Sequence, residues 1–218
     1  MSAPSAREAI LTDVRRALAR DAGAPLAPLP ASARIEPRRL GEINGEVEAL
    51  LAEIRGLGGL TRRLPSARAV PANLRELVET ENIKKAMVWC TPELQKLGIA
   101  DSLRGLGVEI VPAQATLEQW AACDLGVTGV EAALPETGTL LLRSAPDMPR
   151  VTSLLPRIHL ALLHPSALRG DLPQAFAEVK SDGYVVCITG PSRTSDIELT
   201  LTIGVHGPKT LYVWLLDS

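Results

Sequence analysis

Aromatic side chains are scarce in this chain, at 3% of its 218 residues. The core therefore has to be aliphatic, built mostly from Leu, Val, Ile and Ala, and hydrophobic residues supply 46% of the sequence. This length and this hydrophobic content predict one large domain, or one domain with an additional arm.

Cysteine and histidine are also few, with three residues of each kind. Metal-ligand spacing is missing from both sets, which comprise Cys90, Cys123, Cys187, His159, His164 and His206. No CxxC pair is present for a disulfide framework, an iron–sulfur cluster or zinc, and no HxH or HExxH pattern occurs. We therefore expect no metal ion and reduced, buried cysteines, with His159 packed inside a strand. Neither a Walker loop nor a GxGxxG turn follows a predicted strand, so we expect no cofactor.

An excess of basic residues and a long hydrophobic run are missing as well. The formal net charge is −2, which argues against a general nucleic-acid binder. The arginine pairs at 38–39 and 62–63 are interpreted as solvated surface. No run approaches the roughly 18 apolar residues that span a bilayer, and the first residues lack the apolar centre of an export signal. The sequence thus predicts a cytoplasmic protein without a membrane span.

The first 60 residues are predicted to form an N-terminal helical arm. Apolar residues at helical spacing predict one helix over 5–20 and another over 40–55. Between them, residues 21–37 are rich in proline and alanine, which is typical of a linker. The arm either packs on its own domain or docks on a second subunit of a homo-oligomer, and the sequence leaves both alternatives open.

Residues 61–218 are predicted to form an α/β domain. Short apolar strands alternate with helices, which favours a mostly parallel central sheet with helices on both faces. The strands are predicted at 86–90, 108–111, 123–128, 158–163, 184–189 and 211–216. One more strand, 139–142, follows its predecessor too closely for a crossover helix. We expect that strand to be antiparallel or displaced from the main sheet.

The segment 189–198 reads TGPSRTSDIE and is the first candidate site. It follows a predicted strand, and its second half begins a predicted helix over 194–205. The first turn of a helix leaves backbone N–H groups unpaired and attracts anions. We therefore predict that a small anionic ligand, either a carboxylate or a phosphate, is bound here by Gly190, Ser192, Arg193 and Thr194.

Two carboxylates, Asp196 and Glu198, lie in or near the first turn of that predicted helix. They are interpreted either as residues that complement the helix dipole or as reactive carboxylates of a polar site. In the second interpretation Asp196 contributes to ligand binding and Glu198 to catalysis.

The second candidate segment, 126–139, begins at the carboxyl end of a predicted strand, where open α/β sheets bind ligands. Glu131 and Glu136 flank an apolar turn, and Gly138 permits a positive φ or a close backbone approach. We predict Glu136 as the reactive or proton-handling carboxylate, with Glu131, Thr137 and Gly138 lining the ligand site. The alternative is a wide turn with solvated glutamates. Parallel strands end at one edge, so both segments are expected to share one pocket.

Three motifs together resemble the LUD domain family: TGVEAALPETGT at 128–139, TGPSRTSDIE at 189–198 and GVHGP at 204–208. The resemblance covers most of the chain from about residue 60. It implies a fold like that of the NagB, ribose-5-phosphate isomerase and CoA-transferase group. It also implies a role in oxidising L-lactate to pyruvate with iron–sulfur redox proteins as partners. The chain lacks ferredoxin-like cysteine runs, in agreement with a subunit that carries no cluster.

The same fold group suggests one enzymatic alternative and leaves a structural one. Family I CoA-transferases carry a nucleophilic glutamate in a Ser-Glu-Asn-Gly setting, and residues 135–138 read Pro-Glu-Thr-Gly, with Ser and Asn replaced. Acyl transfer through Glu136 is therefore one alternative. A non-catalytic subunit that positions the redox partners is the other, so whether the chain is an enzyme stays open.

Overall fold

The computed structural model describes residues 5–18, 36–178, 183–194, 202–204 and 206–217. The chain divides into two compact units, Met1–Glu36 and Pro37–Ser218. The division of the chain near residue 60 stays a prediction.

The first unit contains helix α1, Ala6–Ala17. Ser5 caps it, because its hydroxyl accepts from the Glu8 amide while the Glu8 carboxylate accepts from the Ser5 amide at 2.8 Å. This reciprocal pair satisfies two backbone donors at the helix start. The predicted first helix is confirmed, and its apolar face is exposed, with Ile10 63% and Val14 48% accessible.

The second unit contains the remaining helices and all the described strands. Its helices are α2 (Ile43–Gly56), α3 (Val70–Glu81), α4 (Pro92–Lys96), α5 (Ile99–Gly105), α6 (Leu117–Ala121) and α7 (Leu172–Glu178). Its strands are β1 (Leu60–Leu64), β2 (Lys85–Val88), β3 (Glu109–Ile110), β4 (Leu125–Gly129), β5 (Ala132–Leu134), β6 (Thr139–Arg143), β7 (Ile158–Leu163), β8 (Val185–Ile188), β9 (Arg193–Thr194), β10 (Thr202–Ile203) and β11 (Thr210–Leu216).

A six-stranded sheet forms the centre of this unit, in the order β1-β11-β7-β4-β2-β3, and every neighbouring pair is parallel. The two middle strands, β7 and β4, are buried almost throughout. Strands of a parallel sheet are covered on both faces, which explains their continuous apolar sequence. The predicted mostly parallel α/β fold is confirmed.

Helices cover both faces of the sheet beside β1. Consecutive strand residues point to opposite faces. Arg62 binds Glu76 of α3 at 2.8 Å, whereas its neighbour Arg63 binds Glu48 of α2 at 3.1 Å. The two helices therefore lie on opposite faces. The interpretation of this arginine pair as solvated surface is wrong, because Arg62 joins α3 and Arg63 joins α2 to the edge strand β1.

A second, antiparallel sheet has the order β5-β6-β8. One face of β6 carries Leu140 and Leu142, which belong to the main core, and the other carries Leu141, which packs in a smaller cluster with Ala175 of α7. The predicted displacement of the strand at 139–142 is confirmed. The predicted strand at 184–189 exists as β8, but it belongs to this sheet and not to the parallel one.

Thr91 followed by Pro92 is a typical helix start and predicts one helix from there to about residue 104, but the structure interrupts that helix. Thr91 caps α4 as expected, since its hydroxyl accepts from the Leu94 amide at 3.2 Å. Gly98 then adopts a left-handed conformation with φ +62°, and α5 begins after it. Among the described residues no helix is long and apolar enough to cross a bilayer.

Residues 37–41 cross over the loop that contains Gly170. A Cβ on Gly170 would lie 1.8 Å from the Arg38 carbonyl oxygen, so only glycine permits this crossing. The Arg38 guanidinium binds the buried Glu46 carboxylate at 2.8 Å, and the Gly41 amide donates to the same carboxylate at 2.8 Å. These hydrogen bonds hold the pKa of Glu46 below its usual value.

Replacing Glu46 with alanine is expected to lower the free energy of unfolding by about 1–3 kcal/mol, because it leaves the half-buried Arg38 and the Gly41 amide without their acceptor. Urea denaturation measures the loss. Glu48→Ala is the matched control on the same helix. Its side chain is 59% exposed, and its ion pair with Arg63 should contribute less than about 1 kcal/mol. Equal stability of the two variants would contradict the anchoring role.

Candidate functional site

The candidate segment 126–139 forms a hairpin between β5 and β6. Glu136 and Thr137 lie at its turn, whereas Glu131 precedes β5 at the opposite end. There the Glu131 carboxylate accepts from Arg143 at 2.8 Å. The three residues of β5 separate Glu131 from Glu136 along the chain. The two carboxylates therefore lie at opposite ends of β5 and not together, as the prediction of a shared site requires.

The candidate segment 189–198 follows β8. Ser192 donates its backbone N–H to the Pro208 carbonyl at 3.0 Å, and its own carbonyl accepts from the Gly204 amide at 3.0 Å. Residues 193–194 and 202–203 then pair as the antiparallel strands β9 and β10. The helix predicted over 194–205 is thus wrong at both of its described ends, residue 194 and residues 202–203. The predicted residues Asp196 and Glu198 lie outside the described residues, and Thr194 is described only by its backbone in β9.

A chain of threonine hydroxyls joins the two segments. The Thr137 Oγ1 lies 2.7 Å from the Thr139 Oγ1, which lies 2.9 Å from the Thr189 Oγ1. Each hydroxyl both donates and accepts, so the three side chains can form one continuous hydrogen-bonded row. The hairpin turn and the start of the 189–194 loop are therefore neighbours.

Both segments also pack on the last turns of α2, and each does so through a glycine. A Cβ on Gly138 would lie 3.1 Å from the Glu53 Cβ, and one on Gly190 would lie 3.2 Å from the Leu57 Cβ. Their φ angles are +64° and +100°. Arg193 adds a third contact, since its guanidinium donates to the Leu57 carbonyl. Positive φ and close approach together explain why glycine occupies both positions.

This meeting place is not the carboxyl edge of the parallel sheet. The expectation rested on both segments following strands of one parallel sheet, but β8 belongs to the antiparallel sheet. Ser192 bonds to Pro208, which lies just before the amino end of β11. The segments therefore meet because the small sheet and α2 bring them together.

The first of two adjoining cavities, the Glu136 cavity, has a volume of about 470 Å³. Its polar walls include Glu136, Thr137, Asp171 and Thr189. The Glu136 side chain is 67% exposed, and its Oε2 lies 4.0 Å from the Arg38 Nε. This cavity carries two carboxylates and a row of hydroxyls, with one arginine at its rim.

The second cavity, the His159 cavity, has a volume of about 380 Å³. Its polar side chains are Ser153, His159, Cys187, Thr189, Ser192, Arg193 and His206, and its apolar wall includes Leu154, Val186, Ile188 and Leu211. Cys187 and Thr189 line both cavities. The two predicted segments thus contribute to two adjoining cavities and not to a single pocket.

His159 is a residue of this site that sequence reasoning placed in the core without a role. It is 1% exposed, and its Nε2 lies 2.8 Å from the Thr128 Oγ1. Its Nδ1 is buried and has no hydrogen-bond partner among the described residues. Burial lowers the pKa of His159 to about 3, so the ring is neutral. One feature could have indicated it: His159 is the only polar side chain in the strand Ile158–Leu163.

Arg38 is the other site residue that the sequence did not reveal. The sequence favours solvated surface at this position, yet Arg38 contacts Glu46, Gly170 and Asp171 and lies beside Glu136. Apart from Glu46, these partners are distant in sequence, so no local motif could have indicated that Arg38 reaches the hairpin turn.

The three cysteines are free thiols, but only Cys123 is buried, whereas Cys90 and Cys187 are exposed, contrary to the prediction of buried cysteines. Burial raises the pKa of Cys123 to about 11, and partial desolvation raises the pKa of the Cys187 thiol although the residue as a whole is exposed. A thiol with a raised pKa is a poor nucleophile at neutral pH. Within the described residues, no group of three His, Cys, Asp or Glu side chains is arranged to hold a metal ion. The absence of a metal in the whole protein stays a prediction that elemental analysis can test.

Relatives of this chain are found among bacterial proteins. It is 31% identical over 152 residues to an uncharacterised protein of Neisseria meningitidis, a match that covers 64% of each chain. It is 29% identical over 156 residues to lactate utilization protein C of Shouchella clausii, covering 66% of this chain and 68% of the relative. The protein of the same name in Bacillus subtilis is 38% identical over 103 residues, or 43% of each chain.

A solved structure shares the fold. It is a DUF162 family protein from Deinococcus radiodurans, which superposes with a TM-score of 0.62 at 18% identity and covers 81% of this chain and 99% of its own. Residues 62–216 match the LUD domain. That range includes both cavities' loops and the whole parallel sheet except its first two positions in β1. The chain therefore belongs to the LUD domain family.

Proposed function

We propose that this chain is a component of L-lactate utilisation and supports the oxidation of L-lactate to pyruvate. The observation that carries the proposal is the match of residues 62–216 to the LUD domain, together with relatives named lactate utilization protein C. The matched region contains the two cavities, and concave sites of about 300–1,000 Å³ are typical of small-molecule binding.

The proposal includes iron–sulfur redox proteins as partners. Lactate oxidation releases two electrons, which a carrier has to accept. The three cysteines of this chain are far apart in sequence, and such spacing does not form a cluster site. The family resemblance implies a separate cluster-bearing protein as the electron acceptor, and this chain would contribute binding or positioning.

Deletion and complementation test the role in lactate metabolism. A strain that lacks this gene should fail to grow on L-lactate as carbon source and should grow normally on pyruvate. Reintroducing the intact gene should restore growth. Normal growth of the deletion strain on L-lactate would refute the proposed function, provided that no second copy of the gene is present.

Glu136→Gln tests the predicted carboxylate within this function. The substitution keeps the size of the side chain but removes its charge. Because Glu136 is 67% exposed and its cation lies 4.0 Å away, the free energy of unfolding should change by less than about 0.5 kcal/mol. We expect a folded protein that no longer supports growth on L-lactate.

The matched control is Glu118→Gln, which changes an exposed glutamate on α6 and should leave growth unaffected. Both variants are compared at equal protein levels, with melting temperatures measured on the purified chains. Full growth of the Glu136→Gln strain would remove Glu136 from the functional residues without affecting the proposed role of the whole chain.

One alternative is favoured by a specific observation. The strong exposure of Glu136 suits a surface that contacts a partner protein, as a non-catalytic assembly subunit requires. In that case Glu136→Gln should weaken co-purification with the redox partners and leave small-molecule binding unchanged. No comparable observation favours acyl transfer through Glu136.

A further inference from the structure

The two cavities differ in charge, and this difference separates the ligands that they can bind. The Glu136 cavity is lined by two carboxylates, Glu136 and Asp171. The His159 cavity has no Asp or Glu among its described lining residues, but it has the guanidinium of Arg193. A carboxylate ligand would meet two carboxylates and the single rim arginine, Arg38, in the first cavity, but an arginine and no described carboxylate in the second, so the second cavity favours it.

The hydrogen bond between His159 and Thr128 indicates which ring nitrogen of the histidine carries the proton. Thr128 is fully buried, and its hydroxyl has His159 as its only side-chain partner within the described part of the chain. If the hydroxyl donates to the His159 Nε2, its proton is satisfied. The neutral ring then carries its own proton on Nδ1. The opposite tautomer would leave the buried hydroxyl proton without an acceptor, which is the costlier arrangement.

The Nδ1 of His159 is therefore a buried N–H donor without an acceptor in the described structure. Buried donors of this kind are rare and costly, and they are normally satisfied by water or by a ligand. The histidine lines a cavity of about 380 Å³, which also presents Ser192 and Arg193. All three side chains can donate a hydrogen bond, so the group that suits them is an oxygen acceptor.

We propose that the His159 cavity binds a small 2-hydroxy or 2-oxo carboxylic acid, with an acceptor oxygen on the His159 Nδ1–H and the carboxylate directed to Arg193 and Ser192. The choice of this acid class rests on the proposed function. The anion site is thereby assigned to the cavity beside His159 and not to the surroundings of Glu136.

The structure also explains how the donor is held in place. The Thr128 hydroxyl orients the ring, and the backbone of residues 152–154 covers the strands beside it, since the Thr152 carbonyl lies directly over Gly126. A neutral donor in a rigid setting can bind an oxygen atom without the desolvation cost of a charged group. Arg193 is held by the Leu57 carbonyl and retains further N–H groups for a carboxylate.

Nuclear magnetic resonance of the purified full chain, labelled with ¹⁵N-histidine, tests the proposal directly. In the free protein, the His159 ring should show a protonated Nδ1 and an unprotonated Nε2. Titration with sodium pyruvate or sodium L-lactate should shift the Nδ1 resonance in a saturable manner. Sodium acetate, which lacks the oxygen on the second carbon, should bind more weakly. An Nδ1 resonance that stays unchanged at high concentrations of pyruvate and of L-lactate would overturn the proposal. The Nδ1–H would then donate to a buried water and not to a ligand.

Two isosteric variants separate the Nδ1 donor from the structural contact with Thr128. The amide of glutamine reaches the position of Nε2, so His159→Gln keeps the partner of Thr128 and loses the Nδ1 donor. The shorter amide of asparagine occupies the position of Nδ1, so His159→Asn keeps the donor. We expect His159→Gln to weaken pyruvate or L-lactate binding about tenfold or more, and His159→Asn to weaken it less. Equal binding by wild type and His159→Gln would contradict the role of Nδ1.

The wild-type titration keeps the test decisive if either variant fails to fold. The result is also separable from the proposed function. A deletion strain that cannot use L-lactate, combined with a wild-type protein that binds neither acid, would retain the function and reject this site. Binding without any growth defect would retain the site and reject the function.

Discussion

Replacing Gly126 with alanine is expected to lower the free energy of unfolding by about 3 kcal/mol or more, which is a large part of the stability of a typical domain. Gly126 lies in β4, in the middle of the parallel sheet. Its new Cβ would lie 1.8 Å from the Thr152 carbonyl oxygen and 3.2 Å from the Pro156 Cγ. The obstacle is backbone, which cannot rotate away as a side chain can. Thermal unfolding of the purified variant measures the loss.

Gly105→Ala is the matched control, because it makes the same glycine-to-alanine change at a position with open space. Gly105 is the last residue of α5 and is exposed, and a Cβ added to it would have no atom of the described residues within 4 Å. Alanine there should be neutral or should stabilise the helix by up to about 1 kcal/mol. If Gly126→Ala melted at the wild-type temperature, the close approach of Thr152 to β4 would be wrong. The backbone of Thr152 would then also not cover the strands beside His159.

Acidification is expected to destabilise the protein through His159. The folded state keeps the pKa of this imidazole at about 3 because burial disfavours the charged form. The unfolded chain takes up the proton at about pH 6.5. Between these values the unfolded state binds more protons, so stability falls as the pH falls. The stabilisation is complete above about pH 6.5, and its slope cannot exceed about 1.4 kcal/mol per pH unit for one group.

His159→Gln is the reference for this measurement. It removes the titrating group while keeping a partner for Thr128, and it leaves the other titratable groups of the cavity, Cys187, Arg193 and His206, in place. Urea denaturation at a series of pH values from about 7 to about 5, the range in which the unfolded imidazole takes up its proton, should show a steeper loss for the wild type than for the variant. Parallel curves would mean that His159 is charged or solvated in the folded protein, contrary to its burial.

Local chemistry was predictable wherever a few neighbouring residues decide the outcome. Threonine is a typical helix-capping residue, and the hydroxyls of Thr91 and Thr116 each accept a backbone N–H at the start of a helix. The strand Ile158–Leu163 has the predicted bounds, because its run of apolar residues suits only a position covered on both faces. The short connection before β6 correctly indicated a strand outside the parallel sheet.

Errors arose where distant segments compete for the same residues. The pattern over 194–205 was compatible with a helix, yet its described ends pair with each other as β9 and β10. Strand β8 has the composition of a parallel-sheet strand, but it pairs with β6. Propensity and periodicity describe one segment at a time, and neither contains information about which strand becomes its neighbour.

In the candidate site, too, the sequence indicated individual residues but not the distant segments that surround them. Gly138 and Gly190 were recognisable as glycines in motifs, but the surface that requires them, the end of α2, is far from both in the sequence. Ser192 and Glu136 were expected in one pocket at a sheet edge. They line adjoining cavities instead, which share Cys187 and Thr189.

The sequence by itself determined the aliphatic α/β domain, the helix caps, the family resemblance and the two candidate segments. These properties follow from composition, spacing and short-range hydrogen bonding. Only the tertiary structure decided that Arg38 reaches the hairpin turn and that His159 is a buried donor beside a cavity. Burial and the lack of a hydrogen-bond partner depend on every segment packed around a side chain, and no single stretch of sequence contains them.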